Sequence, residues 1–336
     1  MKPEVLTSNV RTFSRPSALK ITDLRTATIG GCTIIKIDTN QGVYGLGEVR
    51  DGASKTYALI LKSRILGENP CHVEKIFRKI KQFGHHARQG GGVCAIEMAL
   101  WDLIGKVYGI PVYQLLGGKF RETIRVYCDT TTEKDAETMG RRLKERIDQG
   151  FTFLKMDIGV GLLRDLPGTL SAPSGMLDTS MVMHPFTGIQ ITDKGVHVLC
   201  EYVEAVREVI GYEIPLAADH FGHIGVETCI RLAQSLDQFS LAWLEDMIPW
   251  QFTDQYVRLS QSCTTPICTG EDIYLKEEFI TLFQAGAISV CHPDLATSGG
   301  ILETKKIGDT AQEYGVAMAM HMAAMPVATM ASIHCA

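Results

Sequence analysis

The sequence predicts an α/β barrel preceded by a smaller α+β domain, and three observations carry that reading. From about Thr123 onward, short apolar runs alternate with amphipathic helical segments, the pattern of βαβ units around a parallel sheet. The first 120 residues lack that rhythm and read as a hairpin followed by helices. Five consecutive strand-like runs end on an acidic residue or a histidine, at spacings of 26, 26, 23 and 27 residues, close to one strand–loop–helix unit each.

In the first part, Thr33–Asp38 is an apolar, β-branched run, and Asn40-Gln41-Gly42 turns the chain into a partner strand, Val43–Val49. Two helical stretches follow, Lys55–Leu66 and Pro70–Lys81. A glycine-rich loop, Gly90-Gly91-Gly92, is expected before a strongly apolar helix at Ala95–Tyr108, which Gly109-Ile110-Pro111 stops. The boundary is placed between residues 1–122, the α+β domain, and residues 123–336, the barrel.

In the second part the strand runs are Ile124–Cys128, Phe151–Met156, Ile214–Ala218, Leu241–Leu244, Pro266–Thr269, Ala287–Cys291 and Val316–Met320. The helices between them are Glu133–Asp148, His197–Val209, Val226–Leu236, Tyr256–Gln261, Lys276–Phe283 and Ile301–Glu313. Short loops between repeats favour a closed barrel over an open sheet. The count is one short of eight and the chain stops at Ala336 after a helix-like segment, so the natural protein is expected to continue, or the last strand to be missing here. One connection is long, Gly159–Lys194, and is read as a loop over the active-site face.

Composition bounds the function. Hydrophobic residues at 45% and charged residues at 21% describe an ordinary globular protein, and no apolar run reaches the length of a membrane span. The start, Met1-Lys2-Pro3-Glu4, lacks a signal-peptide core, and ten cysteines sit singly without a CxxC pair. A cytoplasmic protein with reduced thiols is the expectation. The net charge of −5 argues against nucleic acid or an anionic membrane as partner, but not against a small anionic substrate beside a metal.

The five rim residues carry the chemistry. Asp219 ends Pro-Leu-Ala-Ala-Asp, Glu245 ends Leu-Ala-Trp-Leu-Glu, and Glu271 ends Ile-Cys-Thr-Gly-Glu. Asp294 follows Val-Cys-His-Pro, and His321 ends Val-Ala-Met-Ala-Met-His. Their phase puts all five on the C-terminal rim of a barrel, where barrel enzymes keep their active sites. Any one alone reads as a solvated loop residue or a helix cap; five in phase do not. Clustered carboxylates repel unless protonated or metal-bound, and an all-oxygen set suits one Mg²⁺ or a similar hard cation held by Asp219, Glu245 and Glu271.

This pattern resembles the enolase superfamily, in particular its mandelate racemase-like branch, over essentially the whole chain. Gly45-Leu46-Gly47-Glu48, Ala95-Ile96-Glu97-Met98-Ala99-Leu100-Trp101-Asp102 and Gly299-Gly300-Ile301 also fit. The resemblance implies a modified TIM barrel of (β/α)7β type with an N-terminal capping domain. It implies Mg²⁺ on Asp219, Glu245 and Glu271, and a catalytic dyad of Asp294 and His321. It implies removal of a proton α to a carboxylate, with the metal stabilising the enediolate and His321, held by Asp294, as general base or acid.

One departure bears on the reaction. The branch usually carries Lys-x-Lys on strand two, where this chain reads Lys155-Met156-Asp157. Residues i and i+2 share a strand face, and a carboxylate beside a lysine keeps it charged. Lys155 is therefore read as a permanent cation on the substrate carboxylate or enediolate, oriented by Asp157; a plain ion pair is the alternative. Without a second lysine base, dehydration of an aldonic or aldaric acid sugar is favoured, with His220 or His223 as acid for the departing β-hydroxyl. Strand alternation argues against His220 facing inward, and a loop histidine is its alternative. His85, His86 and Arg88, with His223 and Trp250, are the candidate substrate contacts, Trp250 serving equally well as packing. His292 and His334 read as structural. The rival readings are a racemase, epimerase or cycloisomerase of the same branch, and a non-catalytic acid-sugar binding homologue. A homo-oligomer is expected, because capped barrels often assemble.

Overall fold

A computed structural model describes residues 15–84, 90–179, 184–219 and 224–336. The N-terminal domain opens with an antiparallel sheet of β1 (Ile21–Ile29), β2 (Cys32–Thr39) and β3 (Tyr44–Val49), in that order. The predicted hairpin is β2–β3. β1 escaped the sequence reading because a register shift between Ile21 and Asp23 breaks the period-two pattern. The stretch read as one helix, Lys55–Leu66, is two short helical turns, Thr56–Leu59 and Lys62–Ile65. Helix α1 (Val73–Ile80) follows, and then α2 (Gly90–Tyr108).

The glycine-rich segment forms the first turn of α2 and is not a loop. Three glycines in a row disfavour helix, but a Cβ on Gly92 would lie 2.2 Å from the Tyr57 carbonyl oxygen, and one on Gly91 2.9 Å from Arg50 Cβ. Close packing decides the conformation here. The same holds where α2 crosses β3: a Cβ on Gly45 or Gly47 would lie 1.9 Å from the carbonyl oxygen of Ala99 or Ala95. The two motif pieces Gly-Leu-Gly-Glu and Ala-Ile-Glu-Met-Ala are thus the two sides of one helix–strand contact.

The barrel part alternates as read from sequence. Its elements are β4 (Cys128–Thr130), α3 (Ala136–Asp148), β5 (Leu154–Asp157), the hairpin β6 (Leu170–Ser171) and β7 (Gln190–Ile191), α4 (Asp193–Ile210) and β8 (Leu216–Asp219). There follow α5 (Val226–Leu236), β9 (Leu244–Glu245), α6 (Thr253–Ser260), β10 (Ile267–Thr269) and α7 (Lys276–Gln284). The last elements are β11 (Val290–Cys291), α8 (Leu295–Ser298), α9 (Ile301–Glu313), β12 (Ala317–Met318) and α10 (Pro326–Cys335). The sheet is parallel throughout, in the order β4-β5-β8-β9-β10-β11-β12. It curls into a partial barrel whose edges, β4 and β12, flank a cleft of about 890 Å³. The long connection Gly159–Lys194, read as a loop, carries a short helix, Val160–Leu163, and the β6–β7 hairpin.

Two apolar cores divide the molecule. One fills the space between sheet and helices of the barrel, with Leu154, Leu216, Leu244 and Ile267 at most 1% exposed. The other lies between β1–β3, α1 and α2 and continues onto Leu295, Ile301 and Ala328 of the barrel part. Two carboxylates from the N-terminal domain seal that junction. Glu97 Oε2 accepts from the backbone N–H of Ile301 and Oε1 from that of Leu302, at the start of α9. Glu48 accepts from the N–H of Met325 and Ala328, at the start of α10. Each satisfies helix N–H groups that have no partner within the helix and lies at the positive end of the helix dipole.

Candidate active site at the C-terminal rim

Strand alternation and the parallel register bring the rim residues together. In β5 and β8 the ladder pairs Lys155 with Ala217 and Asp157 with Asp219. Lys155 lies beneath the rim and reaches upward, placing Nζ 2.6 Å from Asp219 Oδ2 and 3.0 Å from Glu245 Oε1. The sequence reading paired Lys155 with Asp157; its ion pairs run instead across the sheet, while Asp157 accepts a hydrogen bond from Thr132 Oγ1. The extended lysine reaches two strands over more readily than it folds back along its own.

All three groups of that ion pair are buried, the Lys155 side chain to 3% exposure. Burial alone would lower the Lys155 ammonium, but Glu245 and Asp219 more than offset it and hold the group charged. Burial and Asp219 push the Glu245 carboxyl up to about 7, against the pull of Lys155 and Trp243. Glu245 is held on every side: its Oε1 also lies 3.2 Å from His292 Nε2, and Oε2 accepts from Trp243 Nε1 at 2.8 Å. His292, read as structural, therefore touches a predicted metal ligand, and Tyr127 Oη lies 3.1 Å from the same nitrogen. Burial pushes the His292 imidazole well below its ordinary range, so it is neutral.

The other half of the site lies across the barrel. His321 Nδ1 is 2.7 Å from Asp294 Oδ2, and Nε2 is 3.0 Å from Glu271 Oε2. The two residues read as a dyad are thus hydrogen-bonded to each other. Asp294 Oδ1 accepts from the Ala296 N–H and so caps α8, which fixes the carboxylate's orientation. Burial would lower the His321 pKa, but the bonds to Asp294 and Glu271 raise it to about 10. Burial works the other way on Glu271, and the bond to His321 overrides it, holding that carboxyl well below its usual range.

Whether these residues suit a divalent cation follows from their donors. Oxygens of Asp219, Glu245 and Asp246 lie within 4.8 Å of one another. Glu271, the third predicted ligand, turns its carboxylate to His321 and Arg50 instead. Asp246 was missed by the sequence reading, although it adjoins Glu245; its backbone is left-handed at φ 49, a conformation aspartate tolerates. Burial and the neighbouring acids push its carboxyl well up, and Thr269 Oγ1 donates to it. Burial first, and then repulsion between neighbours, raises the Glu245 and Asp246 carboxyls, and such a buried acidic set is one that a hard dication stabilises. The donors fit.

Lys155 and His321 both line the cleft between β4 and β12, with Tyr127, Phe153 and Trp243 on its wall. Trp250 is half-buried and packs on the barrel core. His85, His86, Arg88, His220 and His223 lie outside the described residues. No helix among the described residues is long and apolar enough to cross a membrane.

Comparison with known proteins matches two family descriptions: the mandelate racemase / muconate lactonizing enzyme N-terminal domain over residues 2–117, and the enolase C-terminal domain-like family over residues 138–336. A D-xylonate dehydratase of Haloferax volcanii is 34% identical, the match covering 93% of this chain and 74% of that protein. A D-galactonate dehydratase of Verminephrobacter eiseniae is 27% identical, covering 94% and 78%. Among solved structures, a mandelate racemase/muconate lactonizing enzyme-like protein from Rubrobacter xylanophilus superposes with TM-score 0.83 at 29% identity, covering 95% of this chain and 83% of that one. The 3,6-anhydro-D-galactonate cycloisomerase from Zobellia galactanivorans gives 0.75 at 26% identity, covering 94% and 83%.

Proposed function

The chain belongs to the mandelate racemase / muconate lactonizing enzyme family of the enolase superfamily, and from that premise we infer that it is a hydro-lyase that dehydrates an aldonic or aldaric acid sugar with Mg²⁺. The observation that carries the reading is the placement of Lys155 and His321 on one cleft, with Asp294 buried behind His321 and Lys155 bonded to Asp219 and Glu245 of the acidic cluster. The relatives named as D-xylonate and D-galactonate dehydratases support the substrate class.

The proton chemistry falls to His321. Asp294 holds Nδ1, so Nε2 is the atom that exchanges a proton with the substrate. In the elimination Nε2, once it has left Glu271 and given up its proton, takes the proton from the α carbon; the electron pair forms the α,β double bond as the β-hydroxyl leaves, protonated to water. Lys155, kept charged by its acidic neighbours, faces the negative charge that builds on the substrate carboxylate. Asp219 and Glu245, with Asp246 beside them, would hold Mg²⁺, joined by Glu271 once it turns from His321 and Arg50; the ion would supply fixed positive charge at that carboxylate. Asp157, which accepts from Thr132 Oγ1 and faces Asp219 in the ladder, would keep the two strand ends in register rather than pair with Lys155. His220 is the proposed acid for the hydroxyl, and His85, His86, Arg88, His223 and Trp250 the proposed substrate contacts.

The likeness to a cycloisomerase supports a second reading, in which the same α-proton step ends in isomerisation. The test is a panel of acid sugars with Mg²⁺, scored for 2-keto-3-deoxy products and for α-deuterium uptake from D₂O. Dehydration gives the keto product; deuterium uptake without loss of water selects the isomerase. Metal binding with neither outcome on any acid sugar would sink both and leave a binding protein.

A further inference from the structure

Arg50, which directly follows β3, is the residue through which the N-terminal domain enters the catalytic edge. Its side chain is 1% exposed. Nη1 donates to the Glu271 carbonyl oxygen at 2.8 Å and to Thr297 Oγ1 at 2.7 Å, and stands 3.2 Å from Asp294 Oδ2. Nη2 lies 3.4 Å from Glu271 Oε1 and 3.8 Å from Asp272 Oδ1, and Nε donates to Asp51 Oδ1 at 2.7 Å. The first turn of α2 presses on Arg50 at Gly91, which confines the side chain to this direction.

Burying a guanidinium costs several kcal/mol unless its geometry compensates. An anchor between domains needs only the carbonyl of Glu271 and the hydroxyl of Thr297. Arg50 does more, because the oxygen it approaches on Asp294 is the one bonded to His321 Nδ1. With Ala296 N–H on Oδ1, the carboxylate is held from three directions, and the imidazole it carries has one orientation left.

We propose that Arg50 is a positioning residue for the acid–base pair: it fixes the Asp294 carboxylate and through it the His321 imidazole, with Nδ1 on Asp294 and Nε2 on the opposite side beside Glu271, and it makes domain docking a condition of catalysis. The proposal rests on the reading of Asp294 and His321 as the acid–base pair. A planar fork that serves three acceptors at once is a task for arginine that a lysine cannot copy.

The experiment uses the full chain with Mg²⁺ and compares Arg50→Met, Arg50→Lys and Arg50→Ala, each checked for folding by circular dichroism and thermal melting. In Arg50→Met kcat is expected to fall about 100-fold with KM nearly unchanged, the usual cost of a misplaced reacting group. Arg50→Lys recovers only part of the rate, and added guanidinium raises the activity of Arg50→Ala. The second readout needs no turnover: with ¹⁵N-histidine, the downfield Nδ1–H signal of His321 is sharp in the wild type and exchange-broadened in Arg50→Met. Thr297→Val, which leaves Arg50 in place, gives an intermediate effect and serves if the Arg50 variants do not fold. A folded Arg50→Met with wild-type kcat and an unchanged His321 signal overturns the proposal. If the wild type dehydrates no acid sugar but its His321 signal still responds to Arg50→Met, the positioning role stands and the reaction class falls.

Discussion

Asp294 and His321 meet as an isolated parallel bridge beyond the ends of β11 and β12, and the same register sets Nδ1 2.7 Å from Oδ2. The backbone therefore aligns the pair before the side chains bond. Asp294→Asn separates the two duties of this residue. Asparagine caps α8 as well as aspartate does, so the stability lost reports only the charge beside buried Arg50 and His321. It cannot hold the imidazolium, and it allows the other tautomer, so kcat is expected to drop by about 10³. Steady-state kinetics beside a thermal melt decide it; a drop below tenfold in a well-folded variant removes Asp294 from the proton chemistry.

Lys155 neutralises the acidic cluster from within, and that predicts an unusual response to metal. Lys155→Met leaves Asp219 and Glu245 buried without their cation, at a cost of about 3 kcal/mol in chelator-treated protein. Mg²⁺ restores the missing positive charge, so the rise in melting temperature from EDTA to MgCl₂ should be larger in the variant than in the wild type. Equal rises in the two proteins would mean that metal and ammonium do not share these carboxylates.

The sequence made the rim legible because one strand–helix unit separates each of its residues from the next, and the barrel converts that spacing into proximity. Helices α5 and α9 fall where they were read, each started by a glycine, Gly225 or Gly300. Strands came out shorter than their apolar runs: of Ile124–Cys128 only Cys128 is in β4, because this run lies on a sheet edge with one neighbour. Arg50 was invisible for a different reason. A charged residue after a strand reads as solvated, and its partners Glu271 and Thr297 lie 221 and 247 positions away. The reversal of Lys155 from Asp157 to Asp219 is of the same kind, since local alternation cannot say which strand is next in the sheet.

Glu97 gives the domain junction a pH dependence. Its carboxyl is buried, which raises its pKa from 4.5 to about 7, against the N–H groups of Leu302 and Ile301 and the indole of Trp101, which pull it down. In the unfolded chain the group ionises near 4.5, in the folded protein near 7, so the folded form binds the proton more tightly. Stability is fully present below pH 4.5 and declines as pH rises through about 7, by about 3 kcal/mol from this group. Other groups titrate too, so the quantity to measure is the difference between wild type and Glu97→Gln. Urea midpoints between pH 4 and 8, followed by Trp101 fluorescence, should show a slope in the wild type that the variant loses. Parallel curves would remove Glu97 as its source.

The contact between β3 and α2 has no room for a methyl group, and the two strand glycines test it. In Gly47→Ala the new Cβ would start 1.9 Å from the Ala95 carbonyl oxygen, so helix and strand must separate. Backbone atoms cannot give way as a side chain can, and the cost is set at about 3 kcal/mol, the upper end for overpacking. The shift would also pull Glu48 and Glu97 from the helices they cap, because both carboxylates are carried by the elements that part. Gly161 is the control: it lies in the short helix Val160–Leu163 with nothing within 4 Å of its would-be Cβ. There, alanine lowers the entropy of the unfolded chain and favours helix, so Gly161→Ala should be neutral or stabilising by up to about 1 kcal/mol. Denaturation midpoints of the two variants are expected to move in opposite directions or differ by at least about 2 kcal/mol. If both variants match the wild type, the close crossing of α2 over β3 is wrong.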